Sequence, residues 1–130
     1  MNMAMGQFWV TVRLTGPTGR SEPTEVLVDT GATFLVIPQS LAERLAIVAQ
    51  RYLPVVIAGG TETTWPVGEV RVAIDDQETT TPCFIAPNGP ALLGAVALES
   101  LLLTVDPIAK RLVPTKGYVL PLVVVSPVTR

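Results

Sequence analysis

The sequence predicts a mainly β protein, a barrel or sandwich of short strands with one or two short helices. Twelve prolines and ten glycines cut the 130 residues into short segments. Several of those segments alternate apolar with polar side chains or are rich in Val, Ile, Leu and Thr, which is how strands read. Helical signals are confined to a short stretch after Pro38 and another after Gly94. The length suits one domain, expected over residues 1–130 with its core in about 8–114, large enough to bury a core without disulfides or metals.

In chain order, "FWVTVRLT" sets Phe8, Val10, Val12 and Leu14 against Trp9, Thr11, Arg13 and Thr15, the period of a half-buried strand. "GPTG" at 16–19 turns the chain. "TEVLV" and "TFLVI" read as strands flanking Asp29-Thr30-Gly31, and Pro38 ends the second because it has no N–H to give a ladder. Ser40 to Glu43 is a capping-box pattern that opens a short helix through about Ile47. From Tyr52 to Ile74 a hairpin is expected: an apolar arm, a turn at Gly59-Gly60, and a return arm through Trp65 into "GEVRVAI". Asp75-Asp76 makes the next turn, and "ETTTPCFIA" is another strand closed by "PNGP". "ALLGAVALESLLLTV" passes from a short strand to a helix after Gly94 and back to a strand near Leu103; a further strand is expected around Tyr118 to Val125.

Composition excludes several function classes. With 15% charged residues, 48% hydrophobic residues and a formal net charge of −2, neither disorder nor an electrostatic nucleic-acid surface is indicated. The chain has no histidine, so it runs no Ser-His-Asp or Cys-His mechanism and builds no histidine zinc site. Its one cysteine, Cys83, makes no internal disulfide and reads as a small core residue. No metal site or nucleotide loop is visible. The N-terminus lacks the pattern of a signal peptide, and the longest apolar run, "YVLPLVVV", is far short of the roughly 20 residues of a spanning helix, so a soluble cytoplasmic protein is expected.

Asp29 is the residue that calls for a reason. It stands in "VLVDTGATFLVIP", where the flanking stretches read as buried strands, and an unpaired carboxylate is among the costliest groups to bury. The tripeptide by itself is weak evidence; its frame is stronger, because a tight strand-to-strand loop presents the carboxylate from a fixed position. Gly31 lets the backbone turn and aim its amide at the acid, and the Thr30 hydroxyl can lock the loop. Asp106 before Pro107 and the Asp75-Asp76 pair read as turn residues, and Trp65 as a packing residue.

With these residues the chain resembles the retropepsin-type aspartic proteases, the single-domain, homodimeric class. Leu92, Leu93 and Gly94, leading into "AVALESLLLTV", resemble that family's second signature, and the hairpin tip Ile57, Ala58, Gly59, Gly60 and Thr61 lies where it keeps its flap. The resemblance covers about residues 8–114 and implies a closed β-barrel that works as a homodimer. It implies Asp29 as the catalytic residue, with Thr30 bracing the loop and Gly31 and Ala32 at the substrate main chain. It implies that Leu92, Leu93 and Gly94 support the loop and that the hairpin closes over an extended polypeptide. No cofactor or metal, no nucleic acid and no membrane is implied. One carboxylate cannot be both acid and base, and no second Asp-Thr-Gly exists here, so the mechanism needs a second copy of Asp29 across a two-fold axis.

The chain also departs from the family. Thr33 and Ala95 stand where retroviral members often carry an acid and an arginine that pair, the flap has a single glycine pair, and the segment beyond Val113 is extra, placing residues 115–130 as a candidate interface element. The alternative function is a weak or inactive dimeric module that binds peptide or regulates without turning substrate over.

Overall fold

The computed structural model describes residues 7–121. Its elements are β1 (Phe8–Thr15), β2 (Ser21–Val28), β3 (Leu35–Pro38), α1 (Gln39–Arg44), β4 (Arg51–Val56), β5 (Glu62–Ile74), β6 (Gln77–Ala86), β7 (Ala91–Leu93), α2 (Ala95–Ser100), β8 (Leu103–Asp106) and β9 (Arg111–Pro114). Strand order β1-β2-β7-β3-β6-β5 returns to β1 through Arg13↔Ala73, Leu14↔Val72 and Thr15↔Arg71, so six strands close a barrel. Closure decides between barrel and sandwich, and it removes most of the edge that open sheets must protect. β4 stays outside the ring as the free arm of the β4–β5 hairpin, while β8 and β9 form a separate two-stranded sheet.

The order follows from local turns plus two parallel pairings. β1 and β2 form an antiparallel pair around 16–19, from Thr15↔Ser21 to Phe8↔Val28. β5 and β6 do the same around Asp75-Asp76, where Asp75 takes φ 51°, a conformation that Asp tolerates better than most residues. Those hairpins cannot position the Asp29 loop. That falls to β7, which pairs parallel with β2 (Val26↔Ala91 to Val28↔Leu93) and antiparallel with β3 (Val36↔Leu92), and so stands between the two strands on either side of the loop.

The main core fills the barrel with Val12 and Leu14 of β1, Val26 and Val28 of β2, Leu35 and Ile37 of β3, Val70 and Val72 of β5, and Leu93, capped by Leu41, Leu45, Leu98 and Leu101 from the helices. A second, smaller cluster of Val36, Val67, Phe84 and Ala86 lies on the other face of β3 and β6, covered by Phe34, Leu53, Val55 and Trp65. Successive strand residues point to opposite faces, so β3 and β6 are apolar on both sides because both sides are covered. Fully burying each of these side chains is worth about 1.5–3 kcal/mol. Gly16 is required by proximity: a Cβ there would sit 1.8 Å from the Leu45 carbonyl oxygen, so the β1–β2 turn rests directly on the end of α1.

Four sequence expectations are corrected. Ser40 is not the helix cap: strand pairing runs to Pro38↔Ala86, Pro38 is itself the extended cap residue without a side-chain cap bond, and Ser40 lies inside α1. The helix ends at Arg44, with Leu45, Ala46 and Ile47 bonded back to Leu41, Glu43 and Ala42 and Ala46 at φ 57°. The strand after the loop begins at Leu35 rather than Thr33, because Thr33 and Phe34 bend to meet α2. Residues 118–121 are not in a strand, and the rest of the Tyr118–Val125 expectation lies outside the described residues. Strand β9 went unforeseen. Asp106 does serve the turn before it, accepting the Ile108 and Ala109 N–H groups at 3.1 Å. Among the described residues no helix is long and apolar enough to cross a membrane.

Cys83, fully buried in β6, has a thiol pushed up to about 12 by burial, against a downward pull from a hydrogen bond with the Gly68 backbone; the nearby charge of Glu69 adds to the rise. Between the ordinary thiol value of about 8.5 and about 12, the folded chain keeps a proton that the unfolded chain has released. Stability from this group is therefore complete below that window and falls as pH rises through it. Urea unfolding at pH 10 should show about 2 kcal/mol less stability than at pH 7.5 from this source, a difference that Cys83→Ala removes. A thiol reagent at pH 8 should label Cys83 only as fast as the chain opens.

Candidate active site

The Asp29 loop is built from main-chain bonds before any side chain acts. The Asp29 N–H donates to the Leu93 carbonyl at 3.0 Å, continuing the β2–β7 ladder by one residue, and the Ala32 N–H returns to the Asp29 carbonyl at 3.1 Å. From the other side, the first turn of α2 donates into the loop: Ala95 N–H to Ala32 carbonyl at 2.8 Å and Val96 N–H to Thr33 carbonyl at 3.0 Å. Gly94 makes this approach possible. A Cβ on Gly94 would lie 2.3 Å from the Phe34 oxygen and 2.6 Å from the Ala32 oxygen, distances real Cβ atoms do not reach.

The side chain of Asp29 is half-buried, and its Oδ1 accepts the Gly31 N–H at 3.0 Å. A Cβ on Gly31 would stand 3.2 Å from that same oxygen, so glycine keeps the carboxylate unobstructed. Among the described residues Oδ2 has no hydrogen-bond partner. One oxygen is anchored and the other is open. That is a carboxylate held in orientation but left able to exchange a proton with something outside its own loop.

Asp29 lies in a cleft of about 1290 Å³. Phe34, Phe84 and Leu92 line it beside the loop, and the β4–β5 hairpin faces them with Leu53, Val55, Ile57 and Trp65. Phe84 ties these together, with its ring centroid 5.1 Å from that of Phe34 and 6.2 Å from that of Trp65, the latter edge-on. Among the described residues, Asp29 and Glu62 are the only ionisable ones along the cleft. Glu62 pairs with Val56 across the hairpin, one residue out of phase with Thr63 and Trp65. The cleft around Asp29 is thus lined mostly, not wholly, by apolar residues, with Thr33, Thr61, Thr63 and Asn88 among the polar ones. Among the described residues no group of three or more His, Cys, Asp or Glu side chains could hold a metal ion.

Of the sequence-selected residues, Asp29, Gly31, Ala32, Ile57, Ala58, Thr61 and Leu92 line the cleft. Thr30 sits exposed on the loop, and Leu93 and Gly94 lie behind it, holding it through the bonds above. Gly59 and Gly60 form the hairpin tip with φ of 90° and 86°; nothing lies within 4 Å of where their Cβ atoms would be, so backbone conformation and not space calls for glycine there. The tip closes through Ile57 N–H to Thr61 carbonyl and Gly60 N–H to Ile57 carbonyl. Phe34 and Phe84 were missed as lining residues, although "PCFIA", apolar at consecutive positions, signals a strand covered on both faces.

A family model described as aspartyl protease matches residues 10–102, a span that includes the loop, the hairpin and all of α2. Comparison with curated proteins gives no match. Among solved structures, the EIAV protease complexed with the inhibitor HBY-793 is similar in fold, with a TM-score of 0.59 and 21% identity over 73% of this chain and 88% of that one.

Gly94→Ala tests the packing of the loop. Its φ of −92° suits any residue, so the whole effect is collision with the Phe34 and Ala32 carbonyls. The variant should lose about 3 kcal/mol in urea unfolding, toward the upper end of overpacking costs. Gly59→Ala, strained only in backbone, should lose about 1 kcal/mol.

Proposed function

The chain belongs to the aspartyl protease family, with the retropepsin-like fold, and from that premise we propose that it is a homodimeric aspartic endopeptidase acting on extended polypeptide. The observation that carries the proposal is the Asp29 carboxylate, anchored through Oδ1, open at Oδ2, and lying along a largely apolar cleft of about 1290 Å³. A second copy related by a two-fold axis beside the loop presents the same open oxygen to the first. Two carboxylates that close share one proton, because both cannot ionise in contact. The pair then holds base and acid together.

In the reaction, the ionised carboxylate removes a proton from a water held between the two, and the oxygen of that water bonds to the peptide carbonyl carbon. The protonated carboxyl gives its proton to the carbonyl oxygen, so a neutral tetrahedral diol forms. Collapse breaks the C–N bond as the carboxyl that took the water's proton passes it to the departing nitrogen, while one diol hydroxyl gives its proton to the other carboxylate and becomes the carbonyl of the new acid, so the pair returns to its shared-proton state. No cofactor or covalent intermediate enters. Thr30, exposed on the loop, braces it against the second copy, and Gly31 and Ala32 lie along the substrate main chain. The hairpin tip of Ile57 to Thr61 acts as a flap, its two glycines supplying the freedom to close over bound peptide and exclude water.

Asp29→Asn should lower kcat/KM on a peptide library by about 1,000-fold or more while leaving the fold and the dimer intact. Cleavage by that variant at the wild-type rate would overturn the proposal. Binding of peptide by the wild type without turnover would favour a dimeric binding module instead. Because each site needs two chains, specific activity should fall on dilution through the dimer dissociation constant; activity strictly proportional to chain concentration in a monomer would be incompatible with the dyad.

A further inference from the structure

The β4–β5 hairpin leaves the barrel at a close contact. A Cβ on Gly68 would stand 2.8 Å from Cγ2 of Ile47 and 2.8 Å from the Val48 carbonyl oxygen, and the Gln50 N–H donates to the Val67 carbonyl at 2.8 Å. The root of the return arm is thus pressed onto the segment that follows α1. Closer to the tip the same arm borders a gap: Thr64, Trp65 and Pro66 line a cavity of about 330 Å³ whose other walls include Ala42 and Glu43 of α1. This cavity is distinct from the Asp29 cleft, although Trp65 and Pro87 border both.

We propose that this cavity binds a small hydrophobic amine, its apolar body against the walls and its ammonium on the Glu43 carboxylate. Most of the lining is apolar, and Ile47 and Ile85 within it are buried, so the body of the ligand meets apolar surface. The sign of the charge follows from Glu43. Among the described residues it is the only ionisable one along the cavity, and it enters neither of their ion pairs, Arg44–Glu22 and Arg71–Glu78. An ammonium there gains a charge-assisted hydrogen bond, and an anion is repelled. Gln39, one turn earlier on the same face of α1, adds an amide oxygen that can accept a further N–H. Size sets the class: 330 Å³ is near the low end of the roughly 300–1,000 Å³ of small-molecule pockets, which suits one ring on a short stem. Position gives occupancy a consequence. A ligand touching both α1 and the Thr64–Pro66 arm extends the hold that begins at Gly68, and so tethers the hairpin at its root. The inference needs neither a second chain nor catalysis.

Phenethylamine and its neutral counterpart 2-phenylethanol test the site in the full chain carrying Trp9→Phe, which leaves Trp65 as its one tryptophan. At pH 7, Trp65 emission should change saturably with the amine, with a Kd on the order of 1 mM for a ligand of this size. The alcohol should bind about fivefold more weakly, the scale set by one exposed carboxylate. Glu43→Gln, at an exposed position, should weaken the amine to the level of the alcohol, whereas Glu62→Gln, in the main cleft, should leave both affinities unchanged. With the amine at saturation, hydrogen exchange of the Thr64, Trp65 and Val67 amides should slow severalfold, and it should not slow in Glu43→Gln. Absence of a saturable change, or equal affinity for amine and alcohol, overturns the proposal. A preference for the amine that survives Glu43→Gln, or that Glu62→Gln abolishes, puts the ammonium elsewhere and overturns it too. Binding that leaves exchange of the arm unchanged overturns the tether. No arm of the test reads peptide cleavage, so its failure leaves the proposed function standing.

Discussion

The hydrogen bond from the Asp29 N–H to the Leu93 carbonyl is the contact on which the rest of the site depends. It exists because β7, only three residues long, is wedged between β2 and β3 and extends the parallel ladder one step past Val28. From that bond the geometry propagates in both directions. Asp29 is fixed at its main chain, so its side chain can be fixed by a single further bond to the Gly31 N–H. On the other side the chain turns at Gly94 and sends the first N–H groups of α2 back into the loop. A loop held at both ends by main-chain bonds needs little from its side chains, and that frees one oxygen of the carboxylate for chemistry.

The same logic accounts for Thr33 and Ala95, where an ion pair often joins the loop to the second helix in retroviral relatives. Here the two segments are joined by main-chain bonds from Ala95 to Ala32 and from Val96 to Thr33, which carry no charge to desolvate. An exposed ion pair adds about 0–1 kcal/mol, so its loss is a small matter for the loop. Among the described residues, the ion pairs Arg44–Glu22 and Arg71–Glu78 lie at the surface, where each arginine lowers its partner's carboxyl below the usual value through a hydrogen bond. Neither lines the cleft.

How much of this was legible in the sequence depended on range. Features set by near neighbours could be read directly: the alternation of β1, the glycine tip at 59–60, the Asp75-Asp76 turn, and the position of Asp29 between two apolar runs. The strand–Gly–helix pattern at Gly94 was also local, but the need for glycine there was not, since it comes from carbonyls of Ala32 and Phe34, some sixty residues earlier in the chain. The capping box misled because Ser40 has the right spacing to Glu43 but lies past the end of a strand whose pairing with Ala86 is long-range. Phe34 and Phe84 escaped for a similar reason. Their role comes from a hairpin folding over them, and a strand's own pattern records only that both faces are covered, not by what.

The dimeric reading has a consequence for how activity would be controlled. The barrel and its two apolar clusters are built from the residues of one chain. On that reading the chemistry is not, because a lone Asp29 is a base without an acid. The isolated chain is then inert, and catalysis appears with the square of its concentration until dimers dominate. The energy that joins the chains must come from surface the monomer leaves uncovered. On that reading the two requirements are separated in space: the apolar clusters lie inside one barrel, and activity arises at a surface where a second barrel meets it.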